Sequence, residues 1–157
     1  MLKAVKNIPV IGAGGVLDGK DIVEMMKLGA NGVQMGSRFA ASEECNASDE
    51  LKKMYLRAKA PEDVVLIESP VGLPGQAIRN KFAASVLDGT VPPPTECDRC
   101  LKHCSHKFCL IKALERAQQG DVETGLVFSG NNMRKVDEIL PVKEIFRRLL
   151  AEVSQID

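Results

Sequence analysis

The chain has 157 residues, enough for one domain with a real core. Its 21 basic and 21 acidic residues cancel, which speaks against a nucleic-acid or anionic-membrane partner. Tryptophan is absent, no apolar run reaches the length of a membrane span, and no signal-peptide pattern opens the sequence. Five cysteines without an export signal point to a reducing, cytoplasmic setting, where they stay as thiols or bind metal.

Ile8, Val10 and Ile11 form a short apolar run, the pattern of a parallel strand buried on both faces. Gly14-Gly15 follows, where the backbone is free to take positive φ and to approach a ligand closely. Asp18 suits an N-cap, Asp21 places negative charge in the first helical turn, and Gly29 suits a C-terminal stop. Between them Ile22, Met25, Met26 and Leu28 predict one buried helix face. Gly32-Val33-Gln34-Met35 reads as a second strand that ends on Gly36-Ser37. Strand, crossover helix and parallel strand make a βαβ unit. Its two glycine-bearing strand ends form adjacent lips able to hold a phosphate through backbone N–H groups, the Ser37 hydroxyl and a helix N-terminus. In (β/α)8 barrels that site lies after strands 7 and 8. A lone Gly-Gly serves a tight turn more often than a ligand, but two lips at crossover spacing reverse that preference.

Farther on, Phe39 to Glu44 is expected as a short helix, and Ser48 or Asp49 caps a helix reaching Ala58, with Pro61 as its stop. Val64 to Ile67 is a predicted strand, and Pro70 to Gly75 a loop. A helix is predicted from Gln76 to Leu87, burying Ile78, Phe82 and Val86, with Arg79 on a solvated face or turned to an acidic ligand. Thr90 to Thr95 is a stiff, proline-rich connector. Cys97, Cys100, Cys104 and Cys109 then fall within 13 residues, with His103 and His106 among them. Four thiolates at such density can hold zinc or an iron-sulfur cluster, although the spacing matches neither the zinc-ribbon knuckles nor the ferredoxin run; free thiols in a turn are the other reading. Phe108 to Gln119 is a predicted helix closed by Gly120, and Gly125 to Gly130 a short strand with a glycine turn. Pro141 opens a last helix expected to bury Val142, Ile145, Phe146, Leu149 and Val153. No acid-base pair and no Ser-His-Asp arrangement stands out.

The run Ile8-Pro9-Val10-Ile11-Gly12-Ala13-Gly14-Gly15-Val16, followed by Leu28-Gly29-Ala30 and Gln34-Met35-Gly36-Ser37-Arg38-Phe39, resembles the end of the flavin-dependent nitronate monooxygenases. The flavin-type enoyl-ACP reductases are near relatives of that family. The resemblance extends more weakly through Arg79-Asn80-Lys81-Phe82 and the closing Gly-Asn-Asn segment. It implies an α/β fold: the last two strands and helices of a (β/α)8 TIM barrel with a mainly helical extension. Since such a barrel needs about 200 residues or more, the chain reads as the C-terminal half of a longer protein. The expected division is 1–45 for the barrel units, 46–95 for an inserted helical segment on the substrate side, 96–120 for the cysteine-rich segment and helix, and 121–157 for the closing turn and helix.

The resemblance further implies FMN as cofactor and oxidation of alkyl nitronates by dioxygen. Gly14, Gly15, Gly36 and Ser37 would cradle the FMN phosphate, with Gln34 and Met35 lining the approach; Ser37 replaces the family's common threonine and keeps the hydroxyl. Gly130 and Asn131 would either touch cofactor or substrate or form an ordinary turn. The catalytic histidine of the family lies in the absent N-terminal half, so no catalytic residue is assigned. An enoyl-ACP reductase, which would also use NAD(P)H, is the alternative enzyme, and a non-catalytic metal-thiolate or partner-binding module is the alternative of another class. A half-barrel leaves apolar faces open, so self-association or docking on the missing half is expected.

Overall fold

The computed structural model describes residues 7–97 and 99–156. The predicted βαβ unit is present. Strand β1 (Ile11–Ala13) and strand β2 (Gly32–Gln34) pair in parallel, Gly12 opposite Val33, with helix α1 (Gly19–Lys27) between them in sequence. Asp18 and Asp21 close the start of α1 as a capping box. Asp18 accepts from the Asp21 amide at 2.8 Å, and Asp21 accepts from the amides of Asp18 and Leu17. Glu152, on the last helix, accepts from the Gly19 amide at 2.6 Å. Gly29 has φ +98, the left-handed stop expected of it.

Burial in this unit differs from the expectation. Ile8 is 67% exposed, Ile11 56% and Leu28 70%, and on α1 the apolar residue that is buried is Val23. Among the described residues the β1–β2 sheet has only two strands, and Ile11 within it stays exposed.

Downstream, α2 (Ser37–Ala40) begins two residues before the predicted short helix. Helix α3 (Asp49–Arg57) is capped by Ser48, whose Oγ accepts from the Leu51 amide at 3.3 Å. A 3-10 turn at Pro61–Asp63 leads into strand β3 (Val64–Glu68). The expected loop and helix start over 70–80 are instead a hairpin: β3 pairs antiparallel with β4 (Pro74–Ile78), Leu66 opposite Gln76. Helix α4 (Lys81–Leu87) begins later than predicted, because Asn80 is its N-cap and accepts from the Ala83 amide at 2.7 Å. Ala77 and Ile78 are adjacent yet enter different hydrophobic clusters, the alternation of a strand. The mainly helical extension thus contains an antiparallel sheet.

Gly125 to Gly130 is not a full strand, though it runs beside β4. Ile78 donates to the Val127 carbonyl at 2.8 Å, Phe128 bridges Ala77, and Ser129 donates to the Gln76 carbonyl at 3.0 Å. Gly75 allows this approach, since a Cβ there would lie 2.5 Å from the Phe128 ring. Helices α5 (Leu110–Gln119) and α6 (Val142–Ser154) complete the chain. On α6 Ile145 and Leu149 are buried while Phe146 is 53% exposed, its ring 5.4 Å from that of Phe39.

Two clusters hold these elements. One joins Leu17 and Ala41 of the βαβ end to Met54, Ala117 and Met133; the other packs Ile67, Phe82, Phe108 and Leu126. The first draws residues from each of the four stretches 1–45, 46–95, 96–120 and 121–157, so none of these is a separately cored unit.

The α1 capping box carries a pH signature. Burial pushes the Asp21 carboxyl up, but the bonds it accepts from Lys135 and from the Leu17 and Asp18 amides outweigh this and leave it below its ordinary value of 3.8. Its contribution is therefore present above that value and lost as pH falls through the lower, folded-state value. Asp21→Ala is expected to lower stability by about 1 kcal/mol at pH 7, and the gap from wild type should close as pH falls below about 4. Urea unfolding at pH 7 and pH 3 checks this, and a gap unchanged at pH 3 contradicts it.

Candidate functional site

The two lips lie at the C-terminal ends of the paired strands β1 and β2. Gly14 and Gly15 have φ +91 and +75, a conformation side chains rarely adopt. A Cβ at Gly14 or at Gly36 would meet nothing within 4 Å, so both glycines face open space. Among the described residues the amides of Gly14, Gly15, Gly36 and Ser37 donate to no protein acceptor. Gln34 is exposed and Met35 half-buried beside the second lip.

The pairing of β1 with β2 makes the lips neighbours, and a segment far away in sequence bonds to both. Gly130 donates its amide to Ser37 Oγ at 2.9 Å, and Asn132 Nδ2 donates to the Gly15 carbonyl at 2.7 Å. Both belong to one 3-10 turn, Asn131–Lys135, with Gly130 at its start. Met133 anchors that turn with no exposure at all. Lys135 bonds Asp18 at 3.1 Å and Asp21 at 2.6 Å, which joins the turn to the start of α1. Tyr55 donates to the Phe128 carbonyl at 3.2 Å, just ahead of the turn. Burial, and then Cys45, push its phenol up to about 12, so it remains a neutral donor.

The electrostatics single out one helix start. The N-terminus of α1 is lined by three carboxylates, Asp18, Asp21 and Glu152, whose charge disfavours an external anion there. The open donors belong to the glycine turn and to the start of α2. Arg38 does not reach toward the lips. It is 8% exposed and donates to the Ala41 and Glu138 carbonyls at 3.1 and 3.4 Å. Burial first, then the Arg148 cation, lower its pKa against the opposing pull of Glu138.

Sequence reasoning located the glycine lips but treated Gly130-Asn131-Asn132 as cofactor contact or ordinary turn. The turn is a brace of the lips, and Asn132, Arg38 and Lys135 were not singled out. The Gly-Asn-Asn signal was available, but its partners lie 93 and 117 residues away.

Among the described residues the four cysteines expected to hold a metal form no such group. Cys97, Cys100, Cys104 and Cys109 all line one cavity of about 100 Å³, yet among the described residues no three of His, Cys, Asp or Glu are placed to hold an ion. Cys109 is the residue that starts α5, while neighbouring Phe108 is drawn into the core against Phe82, ring centres 5.3 Å apart. Cys104 accepts from the His106 amide at 3.5 Å. Both histidines line a larger cleft of about 660 Å³ between the β3–β4 hairpin tip and residues 102–107. Arg79, expected within a helix, lies before α4 and donates from Nε to the Glu62 carbonyl at 3.2 Å.

No helix among the described residues is long and apolar enough to cross a membrane. A family model of nitronate monooxygenases matches residues 1–152. A probable nitronate monooxygenase of Staphylococcus aureus (strain JH9) is 30% identical over 97% of this chain and 41% of its own length. Another, from Staphylococcus saprophyticus, is 43% identical over 48% of this chain and 21% of its own length. FabK from Thermotoga maritima superposes with a TM-score of 0.78 at 33% identity, over 96% of this chain and 46% of that one. A nitroalkane oxidase from Streptomyces ansochromogenes shares the fold with a TM-score of 0.75 at 24% identity, over 98% of this chain and 41% of that one. The chain therefore spans less than half the length of these relatives, and its α/β fold is similar to part of TIM-barrel enzymes. On the family match across nearly its whole length, the chain belongs to the nitronate monooxygenase family.

Proposed function

We propose that this chain supplies the FMN-phosphate end of a flavin-dependent oxidoreductase that oxidises alkyl nitronates with dioxygen. One observation carries the cofactor reading. Among the described residues four backbone amides, at Gly14, Gly15, Gly36 and Ser37, have no protein acceptor on two lips held side by side, with open space where Cβ atoms at Gly14 and Gly36 would otherwise stand. The arrangement suits a phosphate dianion, because backbone donors can converge on its oxygens without a side chain intervening. Ser37 Oγ accepts from Gly130 N–H, which leaves the hydroxyl proton to donate to a phosphate oxygen.

Bound flavin would supply the electron chemistry with nitronate and dioxygen. This chain's own residues hold and orient the phosphate end. Gln34 and Met35 stand at the end of β2 to line the approach. No residue of the chain is assigned proton transfer, since the two histidines lie on the cysteine-rich loop beside the hairpin tip. The segment 46–95 is read as the substrate side of the site, and its residues 68–74 line one wall of that cleft.

Enoyl-ACP reduction with NAD(P)H is the second reading, supported by the family resemblance and by the likeness to FabK. Oxygen uptake with ethyl nitronate by the FMN-loaded protein, without nicotinamide, supports the first. NADPH consumption with a crotonyl thioester and no nitronate turnover replaces it with the second.

The phosphate cradle predicts that wild type binds FMN far more tightly than riboflavin. Ser37→Ala should weaken FMN about tenfold to a hundredfold, the cost of one hydrogen bond to a charged acceptor. Equal affinity for FMN and riboflavin in wild type contradicts the cradle. The exposed Ile8, Ile11 and Leu28 further support association through the βαβ face, with a second copy or with additional barrel segments. Sedimentation of the isolated chain should show dimers or larger species, and a compact monomer at high concentration contradicts that association.

A further inference from the structure

We propose that Asn132 is a positioning residue for the phosphate lips, acting through the Gly15 carbonyl. The inference rests on the cradle reading above and extends it to a residue that need not touch the cofactor.

The argument begins with the Gly14-Gly15 backbone. Two successive glycines at positive φ lack the Cβ atoms that normally restrict peptide rotation. A turn of this kind can rotate its peptide planes and present a carbonyl oxygen where an amide should face. An oxygen in that place would repel a phosphate that the N–H group attracts. Asn132 removes this freedom. Its Nδ2 donates to the Gly15 oxygen at 2.7 Å, and the same atom would lie 3.0 Å from a Cβ at Gly15. The carboxamide thus holds the carbonyl and fills the space beside the glycine at once.

The residue is itself well held. It lies in the Asn131–Lys135 turn, between the bond from Gly130 to Ser37 and the fully buried Met133. Three residues of one turn therefore fix the orientation of one lip, the hydroxyl of the other and the depth of both. Asn131, the exposed neighbour, makes no comparable bond among the described residues.

The test compares FMN with riboflavin, because a purely structural loss lowers both affinities whereas a misaligned lip lowers only that for the phosphorylated flavin. In Asn132→Ala, FMN affinity is expected to fall about tenfold with riboflavin affinity unchanged. Asn132→Asp should lose more, since its carboxylate would face the Gly15 oxygen and the incoming dianion. Asn132→Ser, which keeps a donor on a shorter arm, provides a second variant should the alanine form fail to fold, and is expected to fall between alanine and wild type. A wild-type FMN-to-riboflavin ratio in the folded variants overturns the role of Asn132 while leaving the cradle standing. If wild type itself shows no preference for FMN, the cradle falls and this role with it.

Discussion

Two hydrogen bonds between parts of the chain that are distant in sequence set the geometry on which the candidate site depends. Without the bonds from Gly130 to Ser37 and from Asn132 to Gly15, only the pairing of β1 with β2 would hold the two glycine turns relative to each other. With them, the ends of β1 and β2 and the turn before α6 act as one assembly. The brace is placed in turn by the core. Met133 and Val136 pack with Tyr55 and Met54 of α3, and Lys135 ties the turn to the carboxylates at the start of α1. Packing across the middle of the chain thereby fixes donors at its beginning.

The same assembly explains which helix start remains open to an anion. A helix following a glycine turn is often read as an anion site through its dipole. Here Glu152 from α6 accepts from the Gly19 amide and Asp18 from the Asp21 amide, so carboxylates already crowd the start of α1. That leaves the glycine turn and the first residues of α2. Since α2 is a single turn of four residues, the recognition rests on individual N–H groups far more than on a helix dipole.

Legibility in the sequence followed the range of the forces involved. The βαβ unit could be read because its signals are local: an apolar run, a glycine pair, Asp18 with Asp21, and Gly29 at a helix end. The start of α3 and the stop at Gly120 were legible for the same reason, as Ser48 and Gly120 act within a few residues. The β3–β4 hairpin was missed because Gln76-Ala77-Ile78 owes its extended form to partners on both sides, Leu66 in β3 and the 127–129 segment. Its apolar residues fit a helix equally well when read alone. The burial of Ile8, Ile11 and Leu28 was overestimated because periodicity marks a face as apolar without saying what covers it. The cysteine spacing suggested a metal, whereas the packing of Phe108 and the start of α5 at Cys109 distribute the thiols around a cavity. The brace itself had no local signature, since Asn132 and its partner are 117 residues apart.

The central claim is that the two braced lips receive the phosphate of FMN, and the most direct test is a crystal structure of the protein with FMN bound. The account predicts phosphate oxygens within about 3 Å of the amides of Gly14, Gly15, Gly36 and Ser37, with Asn132 still bonded to the Gly15 carbonyl. A phosphate seated elsewhere, or amides of the two lips turned away from a shared anion, would contradict it.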